Sequence, residues 1–138
     1  MLWVVSYLLI DKHGFSDSLF PPQPSANGTY TYPNDFYEPP VIHAPIPKHG
    51  NTLAIQLVIT GMKFQPCLPT FFAARDAILL ADQALTGGKN QCEIWAGFAS
   101  RGLGQDAHSH DNGSPMGPIR TNGYKLDPSC PQPKRASP

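Results

Sequence analysis

The chain has 138 residues with 10 Lys and Arg against 10 Asp and Glu, so its formal charge is zero. That length suits one small domain, and with no net positive field to gather polyanions, nucleic acid is not an expected partner. Charged residues are only 14% of the chain, while 16 Pro and 12 Gly make it loop-rich. Eight prolines fall in residues 16–49 and six in 106–138, leaving Pro66 and Pro69 alone between 50 and 104. The middle is the expected ordered part.

Residues 1–12 read as a helix that is apolar on nearly every face, with His13 in the last turn and Gly14 placed to close it. Such a helix is expected to be buried. The same run has no basic leader and no small-x-small cleavage site before Asp11, so it is not read as a signal peptide. It is also about half the ~20 apolar residues needed to cross a bilayer, and no membrane partner is expected. Residues 16–49 alternate turn formers with Tyr30, Tyr32, Phe36 and Tyr37, and read as a Pro-rich insertion lying on the body through those rings.

From about Asn51 to Met62 a second helix leaves only Gln56 and Thr60 as a thin polar stripe. Pro66-Cys67-Leu68-Pro69 breaks the chain, and Thr70 caps a third helix whose Phe71, Ala74, Ile78, Ala81 and Leu85 recur at helical spacing until Gly87-Gly88. Arg75 and Asp82 fall on its polar side and read as structural ion-pairing groups. The fourth helix opens on a capping-box pattern, Asn90 with Glu93, buries Ile94, Trp95 and Phe98, and stops by Gly102. No strand is expected. The fold class is therefore mainly α: a small helical lobe over 1–104, with the 16–49 insertion and an extended or partly disordered tail over 105–138. So small a helical core is marginal on surface-to-volume grounds, and the first two helices are expected to pack partly against further protein.

Cys67, Cys92 and Cys130 lack C-x-x-C spacing, which disfavours structural zinc and leaves one pair and one thiol. Cys67 with Cys92 is the plainer pair, since both stand near helix starts and a loop of that size stabilises by about 3 kcal/mol in the chain-entropy model. Asn27-Gly28-Thr29 and Asn112-Gly113-Ser114 are glycosylation sequons. Of the histidines, His13 suits a helix C-terminus, while His43 and His49 read as surface or capping groups. His108 and His110 lie in a Gly/Ser/Asn-rich tail without a third ligand and read as solvated, with metal binding by the pair as the weaker alternative. No H-E-x-x-H, G-x-S-x-G, P-loop or dinucleotide fingerprint is present, and no catalytic or metal-ligating residue is assigned.

Pro66-Cys67 with Pro69-Thr70-Phe71, then Ala74-Arg75-Asp76-Ala77, Ala81-Asp82, Ala84-Leu85-Thr86-Gly87-Gly88 and Cys92-Glu93-Ile94-Trp95, closely resemble the C-terminal end of the fungalysin family. These are secreted fungal zinc metalloendopeptidases of thermolysin-like architecture. Leu9-Ile10-Asp11-Lys12-His13-Gly14 is similar to the family helix that follows the active site, and Cys130 to a tail element of some members. The resemblance implies a helical lobe beside a substrate cleft, a zinc cofactor, polypeptide substrates, an extracellular location and secretion as a zymogen. By family order the zinc helix, its glutamate base, the third ligand and the oxyanion histidine are expected upstream of Met1, on a catalytic lobe that would be this lobe's partner. The function implied is thus the C-terminal part of an extracellular zinc metalloendopeptidase, inactive alone. The alternative is a stand-alone secreted helical binding protein derived from that lobe.

Overall fold

The computed structural model describes residues 1–21, 25–29, 36–38, 45–110 and 118–131. Their elements in chain order are the helices α1 (Leu2–His13), α2 (Gly50–Phe64), α3 (Phe71–Thr86) and α4 (Gln91–Ala99), then the strands β1 (His108–His110) and β2 (Ile119–Thr121). None of the described helices is long and apolar enough to cross a membrane.

The helix boundaries follow local chemistry. α1 ends as Gly14, at φ 78°, turns its amide onto the Ile10 carbonyl at 2.7 Å. At the head of α3 the Thr70 hydroxyl accepts from the Ala73 amide at 3.1 Å, and at its foot left-handed Gly87 donates to Gln83 at 3.1 Å. The polar stripe of α2 pairs with itself, Gln56 Nε2 donating to Thr60 Oγ1 at 3.1 Å. The capping box expected at α4 does not form. Asn90 occupies the N-cap without a side-chain cap bond, because its amide is taken into a buried network, and Glu93 turns to Lys12 at 2.9 Å.

α1 packs on α2 and α4, and α3 packs on α2 and α4. The core between them holds Leu9, Leu57, Ala81 and Ile94, all but inaccessible. Two glycines let α1 approach its neighbours: a Cβ on Gly50 would fall on the Leu9 carbonyl, and one on Gly97 would strike the Val5 side chain and meet its backbone at 3.0 Å. α1 is not buried on all sides as expected. Val5 and Leu9 are enclosed, whereas Trp3 is 80% and Tyr7 64% exposed.

The insertion touches the lobe where it is described. Phe36 is buried and stacks edge-on against Tyr37 at 4.8 Å, and Tyr37 bridges to Pro47. Tyr30, Tyr32 and His43 lie outside the described residues.

The described part of the tail is extended and is tied to the helices by hydrogen bonds and a disulfide. β1 and β2 pair antiparallel, Gly104 and Gln105 donate to Gly123 and Lys125 at 2.8 Å each, and Cys130 is buried. Strands of three residues carry too short a period-2 signal to be read locally. The Lys125 amide, bonded to Asp106 Oδ1 at 2.9 Å, holds the Asp106 carboxyl below its usual range. A depressed carboxyl stabilises at neutral pH and the contribution fades as pH falls through the folded value, so this turn loosens in acid.

Cys130 is bonded to Cys92, with a Cα–Cα distance of 5.3 Å, and Cys67 is a free, exposed thiol. The Cys67–Cys92 pair read from the sequence is thereby corrected. Cys67 precedes α3 and Cys92 follows it, and 16 helical residues separate such ends by about 24 Å, far beyond the ~7 Å a disulfide spans. The residue separation of 38 predicts that Cys130→Ser lowers stability by about 4 kcal/mol in the chain-entropy model, measured by urea unfolding, while Cys67→Ser leaves it unchanged. Gly97→Ala is expected to cost about 1–3 kcal/mol by overpacking against Val5, in the same assay.

Candidate functional site

Among the described residues two charged side chains of the lobe, Arg75 and Asp82, are buried. Asp82 is fully buried, and its carboxylate accepts from the Asn90 amide at 3.0 Å, from Asn90 Nδ2 at 2.8 Å and from Thr86 Oγ1 at 2.6 Å. With its Nδ2 so engaged, Asn90 turns Oδ1 to His13 Nε2 at 2.6 Å. An amide oxygen only accepts, so His13 donates. The residue assigned to its own helix C-terminus instead joins α1 to the α3–α4 corner, assisted by Lys12, whose ammonium reaches Glu93 and the Lys89 carbonyl.

Arg75 is buried too. Its Nη1 donates to the carbonyls of Gly104 at 3.0 Å and Leu103 at 3.3 Å, its Nε to Asp76 at 2.7 Å, and the guanidinium lies 4.9 Å from the Trp95 ring centre and 5.6 Å from that of Phe72. Arg75 and Asp82 therefore act as interior fasteners, each with its own partners, and do not pair with one another. Their polar stripe was legible, but that it would face the tail and α4 was not.

The remaining sequence candidates stand apart. His49 is half-buried at the N-cap of α2. His108 and His110 are exposed on β1. Asn27 sits in an exposed turn whose Oδ1 accepts from the Thr29 amide at 3.1 Å, and Asn112 lies outside the described residues. Among the described residues no three of His, Cys, Asp or Glu stand together to hold a metal ion.

Two features stand out on the described surface. One is a groove of about 430 Å³ at the head of α3, lined by Pro69, Thr70, Phe71, Ser109 and Arg120 among others. The other is apolar: Ile55, Ile59 and Met62, at i, i+4 and i+7 along α2, are 39%, 47% and 59% exposed. They form one exposed apolar stripe, and Trp3 with Tyr7 forms another on α1. Single exposed apolar side chains are ordinary, whereas contiguous patches of large ones are typical of interaction surfaces or ligand grooves.

The sequence is similar to those of known proteins. An extracellular metalloproteinase of Pyrenophora tritici-repentis is 44% identical over 126 residues, 91% of this chain and 16% of that protein. The extracellular metalloproteinase MEP of Leptosphaeria maculans is 49% identical over 107 residues, 78% of this chain and 14% of that protein. The extracellular metalloproteinase NpIII of Aspergillus oryzae is 48% identical over a stretch of the same length. The chain thus spans roughly a sixth or less of the length of these curated relatives. The sequence profile of the fungalysin metallopeptidases (M36) matches residues 1–107, from the head of α1 through α4 to the turn before β1, and the chain belongs to that family.

Proposed function

We propose that this chain is the helical C-terminal lobe of an extracellular zinc metalloendopeptidase, a non-catalytic piece that docks on the catalytic lobe through α1 and α2. The observation that carries the reading is the Ile55–Ile59–Met62 stripe, large apolar side chains 39%, 47% and 59% exposed on a helix whose opposite face, with Leu53, Leu57 and Gly61, is buried. The family match over 1–107 supplies the kind of protein the stripe would meet.

The donors present do not fit a catalytic zinc, which takes three protein ligands and an open position. His13 is spent on Asn90, His49 sits at the α2 N-cap, and His108 and His110 lie on the exposed strand with no further donor beside them among the described residues. Proteolysis is accordingly assigned to the lobe this chain would support, and within the reading Asn27 is an accessible glycan acceptor and the location is extracellular.

The purified chain is expected to cleave no casein with zinc supplied; cleavage that a chelator abolishes would refute the proposal. In a chimera, residues 1–107 replace the matching segment of the Leptosphaeria relative, and casein cleavage is expected to persist. Ile59→Asp should destabilise that chimera by about 3 kcal/mol, because the new carboxylate is buried without a partner. In the isolated chain, where water reaches residue 59, the same change should stay within about 0.5 kcal/mol.

A further inference from the structure

The segment bearing His108 and His110, read from the sequence as solvated tail, is the strand β1. Residues two apart in a strand share a face. The register sets Thr121 beside His108 and Ile119 beside His110, and puts Ser109 opposite Arg120 on the other face. Arg120 and Ser109 turn to the groove at the head of α3, the guanidinium 5.9 Å from the Phe71 ring centre. The positive charge of the two strands is therefore directed away from the histidines.

The two imidazole centres are 6.2 Å apart with planes inclined by 36°. Two imidazoles on one ion, at metal–nitrogen bonds of about 2.0–2.1 Å, have centres roughly 4.5–6.3 Å apart, from a right angle to a straight line at the metal. The pair stands near the straight-line end of that range, and both side chains are exposed. His108 Nδ1 lies 3.1 Å from the Asp106 carbonyl oxygen. Because a carbonyl only accepts, Nδ1 carries the hydrogen and the neutral ring keeps its lone pair on Nε2. A histidine ligand is commonly oriented by that same backbone bond.

We propose that His108 and His110 form a two-imidazole site for copper(II), with water completing the coordination. Copper stands highest in the divalent affinity order and accepts a tetragonal set of nitrogen and oxygen donors, whereas a two-residue set falls short of what zinc sites use. This site is independent of the zinc chemistry proposed for the whole peptidase.

The test is a copper(II) titration of the full chain carrying Cys67→Ser, so that the exposed thiol does not compete, read by calorimetry and electron paramagnetic resonance. One ion per chain is expected, with hyperfine structure from two imidazole nitrogens. His108→Ala and His110→Ala should each weaken binding by at least about 10–100-fold while leaving the far-ultraviolet dichroism unchanged. Absence of saturable uptake, a single-nitrogen signal, or parental affinity in either variant would overturn the proposal.

Discussion

The seating of α1 is the constraint on which the lobe depends. α1 and α2 are separated in sequence by the whole Pro-rich insertion, yet they approach until Gly50 rests on the Leu9 carbonyl, and α4 comes as close at Gly97 and Val5. Such contact excludes a Cβ on either glycine and draws Val5 and Leu9 into the core. The insertion is then anchored at both ends. The Gly50 amide donates to the Gly14 carbonyl at 2.9 Å, and Asn51 holds Ser16 by two bonds, accepting from its amide at 3.0 Å and donating to its carbonyl at 2.8 Å.

Polar groups complete what the glycines permit. The Asp82 carboxylate, enclosed in the α3–α4 corner, requires donors, and Asn90 supplies two of them while passing its own oxygen to His13. A buried carboxylate without those donors would be strongly destabilising. The network therefore specifies the position of α1 as well as the corner itself. Arg75 performs the matching task on the far side, where its guanidinium gathers the carbonyls at 103 and 104 and begins the path that brings Cys130 to Cys92.

The two buried charges of the lobe, Arg75 and Asp82, hold its own elements together. Its ionisable interior groups are committed to holding helices, and what it offers outward is apolar on α1 and α2. Membership of the fungalysin metallopeptidases gives that surface a setting, because the curated relatives are many times longer than this chain.

Helix existence and most helix ends were determined by the sequence. Apolar residues at spacings of three and four mark α3 from Phe71 to Leu85, Thr70 caps it, Gly87 closes it, and each signal operates within one or two turns of chain. Family membership was legible too, since it rests on residue identities in order. Tertiary structure alone decided which groups meet across distance: Cys92 with Cys130, Asn90 with His13 in place of a capping box, and β1 with β2. Spacing along the chain measures proximity only inside an element. Across elements, the length of α3 separates Cys67 from Cys92, while a strand pairing invisible in three-residue segments sets His108 and His110 side by side.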